Sequence, residues 1–260
     1  MPILDKNALT DIGCVRKINQ DRMFAISGNI NGLMCGLFAV ADGMGGLADG
    51  DRAAATAVDV LEAWWHGKLN LFVGYNPIDP NSIFRELKTL FYDVNMRIKT
   101  ASAGAMVGTT LSVILICDDQ YYIAHSGDSR IYMLNFRRFQ RISKSIDKLT
   151  EDHNLMTKQI KEGKLSIEEI KSNPKRNRLT SCLGVMPSPE IYFTSGLVKT
   201  NSMFILCSDG LYNVLRDEEL LKKTSWFTAC YKLTNNLIDM ALKRKASDNV
   251  TVVAVKVKPK

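Results

Sequence analysis

Residues 37–46 read Leu37-Phe38-Ala39-Val40-Ala41-Asp42-Gly43-Met44-Gly45-Gly46. The apolar first half predicts a buried β-strand. Asp42-Gly43 would end that strand in a turn, because aspartate bonds to its own backbone and glycine accepts a positive φ. The same pair also places a carboxylate at the end of a buried strand, with no side chain on Gly43 to block a cation.

Other strand-like runs occur in consecutive groups around this one. They are short, rich in Val, Ile, Tyr and Phe, and cover residues 9–16, 22–27, 33–41, 109–118, 121–125, 130–134, 191–197, 203–208 and 249–257. Helical apolar spacing is found at residues 53–66, 83–98 and 226–242. Strands in blocks favour antiparallel pairing over an alternating βαβ sheet. We therefore predict packed antiparallel sheets covered by helices, with the last strand buried on both faces at its start.

The composition is that of one globular domain. The chain has 260 residues, 46% hydrophobic and 23% charged. No linker divides it, so we predict a single domain over residues 1–260. A polar surface insert at about 150–178 would contain two short helical stretches, with Gly163 and Pro174 as breakers. No apolar run is long enough to span a bilayer, no leader pattern is found, and the cysteines lack metal-site spacing. We therefore expect a cytoplasmic monomer without a membrane partner.

The net charge of +7 comes from 34 basic and 27 acidic residues. A basic protein can bind nucleic acid. Here, however, the basic residues are dispersed and no aromatic-basic motif accompanies them. We expect no nucleic-acid partner. The same charges would suit a surface that attracts acidic or phosphorylated protein segments.

Five aspartates stand at the ends of strand-like runs: Asp21, Asp42, Asp128, Asp209 and Asp248. Each alone is a common turn residue. Together, they could be brought to one edge of stacked sheets, where clustered carboxylates repel unless a cation lies between them. Oxygen ligands without His or Cys favour Mg²⁺ or Mn²⁺ over zinc. Asp42 could bridge two such ions, with the Gly43 carbonyl as a further ligand.

Eight segments, in this order along the chain, resemble the metal-dependent protein phosphatases of the PPM/PP2C family, especially its compact bacterial members. They are Arg16-x-x-Asn19-Gln20-Asp21, Val40-Ala41-Asp42-Gly43-Met44-Gly45-Gly46, Gly108-Thr109-Thr110, Ser126-Gly127-Asp128-Ser129-Arg130, Leu149-Thr150-x-Asp152-His153, Asn177-x-Leu179-Thr180-x-x-Leu183-Gly184, Cys207-Ser208-Asp209-Gly210-Leu211 and Ser247-Asp248-Asn249-Val250-Thr251. Each segment alone is a weak signal, but the ordered series covers almost the whole chain.

The resemblance implies an α+β fold, a four-layer α-β-β-α sandwich of two antiparallel sheets flanked by helices. It implies a centre of two Mn²⁺ or Mg²⁺ ions, bridged by Asp42 and completed by the Gly43 carbonyl, Asp209 and Asp248. Asp21 would hold metal-bound water, and Asp128 with Asp209 would bind a third ion. Arg16 would contact the substrate phosphate. The implied partners are phosphorylated proteins and an opposing bacterial Ser/Thr kinase.

The implied activity is hydrolysis of phosphoserine and phosphothreonine. Paired ions can activate water and hold the phosphoryl group, so we predict direct attack by a metal-bound hydroxide without a phosphoenzyme. Two departures from the family pattern concern this centre. Gln20 replaces a frequent Glu and brings no negative charge, and Met44 stands where animal members have a His.

Alternative functions remain open at this stage. One is a catalytically weak relative that only binds phosphoproteins, although none of the metal aspartates is lost. Another, within the family, is a phosphatase of anti-sigma-factor antagonists, which fits the Arg16 motif and the insert less well. Outside the aspartate set, we expect structural roles for His125, for His153 and for Arg130, the last as partner of a buried acid.

Overall fold

Two antiparallel sheets form the centre of the molecule. The computed structural model describes residues 3–45, 49–73, 78–136, 145–163, 175, 177–198 and 201–258. Sheet one contains, in spatial order, β1 (Ile3–Asp11), β11 (Val250–Lys258), β10 (Ser202–Cys207), β7 (Arg130–Asn135) and β8 (Ser145–Lys148). Sheet two contains β2 (Asp21–Ile30), β3 (Leu33–Met44), β5 (Leu111–Cys117), β6 (Gln120–Ser126) and β9 (Tyr192–Leu197), and β4 (Gly108–Thr109) pairs with the end of β3.

Helices cover the outer faces of both sheets. They are α1 (Asp49–Gly67), α2 (Leu69–Phe72), α3 (Pro80–Ala101), α4 (Leu155–Lys161), α5 (Asp209–Tyr212), α6 (Asp217–Lys223) and α7 (Cys230–Lys243). The apolar stripes of α1 and α3 pack on sheet two, and those of α6 and α7 pack on sheet one. Within the described parts of the chain, none of these helices has the length and apolarity of a membrane-spanning segment.

Alternating side chains of the central strands build three apolar layers. In β3, Leu37 and Ala39 face the helices while Phe38 and Val40 face the other sheet. In β11, Val252 faces the helices, and Val253 packs between the sheets. The predicted four-layer α-β-β-α sandwich is confirmed, as is the burial of both faces of the last strand.

Three sequence-based boundaries need correction. Asp42-Gly43 does not end its strand in a turn: β3 continues to Met44 because Gly43 and Met44 pair with β4, and Gly43 has no positive φ. The first strand was predicted at residues 9–16 but ends at Asp11, because Gly13 has φ +77° and its amide donates to Asp11 Oδ1, which turns the chain. The last helix begins at Cys230, not at residue 226; Trp226 precedes it but still packs against its core. In the insert, α4 is the helical stretch within the described residues, and Gly163 ends it with φ +62°. Residues 164–174, where the rest of the insert prediction falls, lie outside the described residues.

Candidate metal centre and active-site cleft

All five aspartates come together at one end of the sandwich. Asp21 opens β2 directly opposite Asp42 near the end of β3, Asp209 follows β10, and Asp248 precedes β11. Asp128 lies in the turn between β6 and β7. An open cleft at this end is lined by Arg16, Asp42, Gly43, Asp128, Asp209 and Asp248, together with Gln20, Met44 and Thr110. Asp21 lies behind the cleft wall.

Hydroxyl groups hold the Asp21 carboxylate in place. Its Oδ2 accepts hydrogen bonds from Ser208 Oγ at 2.7 Å and from Thr251 Oγ1 at 2.6 Å. Burial raises the pKa of Asp21 to about 6, although these hydrogen bonds oppose the shift. Asp21 therefore places a carboxylate at a fixed position behind the cleft.

Thr110, between β4 and β5, holds the backbone of Asp42 in place. The Asp42 amide donates to Thr110 Oγ1 at 3.0 Å, and the Asp42 carbonyl accepts from the Thr110 amide at 2.9 Å. Burial raises the pKa of Asp42 well above the ordinary value, and the charges of the other four aspartates add to the shift. The next residue must be glycine, since a Cβ at Gly43 would lie 2.1 Å from the carbonyl oxygen of Gly50.

Asp209 carries the most direct sign of a cation-binding site. Its Oδ2 accepts a hydrogen bond from Asn213 at 3.1 Å, but its Oδ1 is buried without a hydrogen-bond partner among the described residues. A buried carboxylate oxygen without a partner is costly. Burial, followed by the nearby charge of Asp248, raises the pKa of Asp209 to about 6. A divalent cation in the cleft would satisfy this oxygen and offset the repulsion.

The donor set fits a water-rich Mg²⁺ or Mn²⁺ site. No three His, Cys, Asp or Glu side chains of the described residues form a ready-made metal cage. Mg²⁺ keeps several waters and takes only one or two carboxylates. Aspartate oxygens spread around an open cleft, with the carbonyl of Gly43 beside them, suit that habit better than the closed nitrogen and sulfur sites of structural zinc.

Arg16 lies at the rim of the cleft and contacts Asp248. Its Nη2 donates to Asp248 Oδ2 at 2.7 Å, and the Arg16 side chain remains 51% exposed. The other oxygen of Asp248 accepts from the Asn249 amide at 2.9 Å. The predicted phosphate-binding arginine is thus beside the predicted metal ligands, with part of its donor fork open to the cleft.

The Asp128 loop is held by the base of the insert. The amide of His153 donates to the Gly127 carbonyl at 2.7 Å, and the Gly127 amide donates to His153 Nδ1 at 3.2 Å. His125 is fully buried between Ser112 Oγ and the Glu151 carbonyl, and burial lowers its pKa to about 3. Both histidines are therefore neutral structural residues, as predicted.

Arg130 is paired with a buried acid, which confirms its predicted structural role. Arg130 Nη2 donates to Asp152 Oδ2 at 2.7 Å, and its Nε contacts both carboxylate oxygens. Burial alone would raise the pKa of Asp152, but Arg130 and Lys148 hold it below the ordinary value. This ion pair ties β7 to the base of the insert.

Asn249 is a positioning residue to which the sequence analysis gave no role. Its Nδ2 donates to the carbonyls of Ile12 at 2.9 Å and Ile18 at 3.1 Å, and its Oδ1 accepts from the Gln20 amide at 2.9 Å. One amide thus closes the loop that carries Arg16. Apart from its place in the segment Ser247-Asp248-Asn249-Val250-Thr251, the sequence holds no signal for this role, because the partners of Asn249 lie more than 200 residues away in the chain.

The comparisons with known proteins agree with this geometry. Residues 15–244 match the sequence pattern of the family described as protein phosphatase 2C. A serine/threonine phosphatase, stp, of Listeria monocytogenes is 30% identical over 253 residues, which cover 95% of this chain and 93% of that protein.

Two solved structures share the fold over nearly the whole chain. The serine/threonine phosphatase of S. agalactiae is 27% identical, with a TM-score of 0.85 over 98% of this chain and 100% of that one. The catalytic domain of the phosphatase PstP, solved with two manganese ions, is 26% identical, with a TM-score of 0.79 over 100% of both chains. By its sequence, its fold and its cluster of acids, the chain belongs to the protein phosphatase 2C family.

Proposed function

We propose that this metal-dependent protein phosphatase removes phosphate from phosphoserine and phosphothreonine in other proteins, with water as the nucleophile. The observation that carries this proposal is the open cleft in which Asp42, Asp209 and Asp248 converge beside Arg16. Relatives over nearly the full length of the chain are named serine/threonine phosphatases, which supports this substrate class.

We assign Asp42, the Gly43 carbonyl, Asp209 and Asp248 as ligands of two Mn²⁺ or Mg²⁺ ions, and Asp128 with Asp209 as ligands of a third. When bound, paired divalent cations lower the pKa of coordinated water and offset the charge of a phosphate monoester. Two observations support the assignment: Asp209 Oδ1 has no hydrogen-bond partner in the described part of the chain, and the pKa values of Asp42 and Asp128 are raised. Asp21 adds negative charge from behind the cleft.

Arg16 would bind the substrate phosphate. A guanidinium presents a planar fork of donors that matches phosphate oxygens. Only Nη2 of Arg16 donates to Asp248, so other donors of the fork can face an incoming phosphate. The substrate would then share Arg16 with Asp248.

The side chains of the cleft support direct attack by water over a covalent enzyme. No cysteine or serine is among its described lining residues. The hydroxyl of Thr110 is already engaged, since its Oγ1 accepts from the Asp42 amide and lies 2.9 Å from Ser129 Oγ. A phosphorylated enzyme trapped during turnover would contradict this part of the proposal.

Phosphorylated proteins are the expected partners, and a Ser/Thr kinase would supply these substrates. The intact set of five acids argues against a relative that only binds phosphoproteins. The cytoplasmic location and the monomeric state stay predictions from the sequence.

Phosphate release from phosphothreonine peptides tests the proposal. We expect Mn²⁺-dependent release by the wild type and at least a roughly 100-fold loss of kcat in Asp42→Asn and in Asp209→Asn, equal to about 2.7 kcal/mol of activation free energy. Asp239→Asn, an exposed aspartate of α7, is the matched control and should retain activity. Equal release in excess chelator, or full activity of Asp42→Asn, would overturn the proposal.

A further inference from the structure

The loop of residues 12–18 exposes apolar side chains beside the cleft. Ile12 and Ile18 are each 38% exposed, and Val15 is 67% exposed. The two bonds from Asn249 to the carbonyls of Ile12 and Ile18 close this loop at its base. These hydrogen bonds therefore fix the backbone that presents the apolar side chains at the surface.

Arg16 belongs to the same loop and connects it to the cleft. Its side chain contacts Asp248, while the neighbouring Val15 points its exposed surface to solvent. A protein chain advances at most about 3.3–3.6 Å per residue. When the phosphate of a substrate protein binds at Arg16, the residues next to the phosphorylated residue would therefore contact this loop.

Exposed lysines lie in the loop and beside it. The amide of Cys14 donates to the Ala246 carbonyl at 2.9 Å, which brings the loop against the C-terminal end of α7. Exposed Lys243 and Lys245 lie there, and Lys17 is exposed in the loop itself. In the part of the chain that the structure describes, none of these three lysines forms an ion pair, whereas Arg244 is already bound to Glu219.

We propose that this surface binds the segment of a substrate protein next to its phosphorylated residue and selects segments that carry apolar and acidic side chains there. We call it the flanking-residue surface; it consists of Ile12, Val15, Lys17, Ile18, Lys243 and Lys245. This inference rests on the proposed phosphatase function. Exposed apolar groups gain from burial under an apolar substrate side chain, and unpaired lysines attract acidic residues and steer association.

The test compares three substrates: a phosphothreonine peptide with Leu and Glu beside the phosphothreonine, one with Ala and Ser there, and p-nitrophenyl phosphate. For the wild type we expect kcat/KM for the Leu/Glu peptide to exceed that for the Ala/Ser peptide by about tenfold. In Val15→Ser this ratio should fall several-fold. The ratio should also fall in the double variant Lys243→Glu, Lys245→Glu. Added salt should lower the ratio of the wild type but not that of the double variant.

Matched controls separate this surface from general effects. Leu197 is 63% exposed at the end of β9 away from the cleft, so Leu197→Ser removes a similar apolar group elsewhere. Lys88→Glu reverses an exposed charge on α3. Both controls should keep the wild-type ratio.

The outcomes distinguish the two proposals. Equal kcat/KM for both peptides, or equal ratios in Val15→Ser and Leu197→Ser, would overturn the flanking-residue surface and leave the phosphatase function intact. If the purified wild type with Mn²⁺ hydrolysed none of the three substrates, the proposed function would fail, and this inference with it.

Discussion

The free energy of unfolding of the metal-free protein should decrease as the pH rises, and the decrease should be smaller in Asp128→Asn. Burial, with the charges of Asp209 and Asp152, raises the pKa of Asp128 to about 7, from an ordinary value of 3.8. The folded state therefore holds this proton at a higher pH than the unfolded state does. The stability linked to that proton is fully present below about pH 4 and is lost as the pH rises through 7.

The size of the effect follows from the shift. Each pH unit between the two pKa values changes the free energy of unfolding by about 1.4 kcal/mol. Between pH 5 and pH 8 the ionisation of Asp128 should cost the wild type about 3 kcal/mol. The neutral amide that Asp128→Asn introduces cannot ionise. The stability gap, which is the free energy of unfolding of the variant minus that of the wild type, should therefore increase by about 3 kcal/mol from pH 5 to pH 8.

Urea unfolding in excess chelator at pH 5, 6, 7 and 8 measures this gap, with tryptophan fluorescence as the signal. Asp239→Asn serves as the control and should follow the wild type at every pH. Added Mn²⁺ should close the gap at pH 8, because a cation bound only by the folded cleft stabilises the wild type. A gap that does not change with pH would refute the reasoning.

Two further substitutions test the supports of the cleft. Asp152→Asn removes a buried carboxylate and leaves the partly buried Arg130 without its charged partner, so urea unfolding should show a loss of about 3–5 kcal/mol. Asp147→Asn, at an exposed aspartate, is the control. A loss below about 1 kcal/mol in Asp152→Asn would contradict the structural role of this pair. Gly13→Ala would place a Cβ 2.1 Å from the Asp248 carbonyl oxygen, so half-maximal activity should need more Mn²⁺. Gly32→Ala is the control, because Gly32 has a similar φ but a Cβ there would meet nothing within 4 Å. It should lower the free energy of unfolding by roughly 1 kcal/mol without changing the Mn²⁺ requirement. Equal Mn²⁺ requirements in both variants would argue against the clash at Gly13.

The central strands and the site aspartates were predictable because their signals are local. Val40-Ala41-Asp42-Gly43 contains both the apolar run and the site acid, although β3 continues past Asp42 to Met44. The strand before Asp209 likewise combines an apolar run with the acid that follows it. The first strand was misplaced for the opposite reason. β1 pairs only with β11 at the edge of its sheet, so it tolerates polar residues such as Asp5 and Asn7, while the more apolar residues 12–18 form the exposed loop.

The supports of the site depend on pairings that local sequence does not reveal. Ser208 and Thr251 bind Asp21 across about 190 and 230 residues of chain, and Asn249 reaches the Arg16 loop over a similar distance. Each is an ordinary polar residue in its own segment. Its function appears only when the two sheets are assembled.

Anomalous diffraction from crystals grown with Mn²⁺ tests the central claim most directly. The account predicts strong manganese peaks in the cleft, two of them among Asp42, the Gly43 carbonyl, Asp209 and Asp248. One of these ions should be coordinated by the Oδ1 of Asp209, which has no hydrogen-bond partner among the residues that the structure describes. An active enzyme whose crystals show manganese elsewhere, with these carboxylates free of metal, would contradict it.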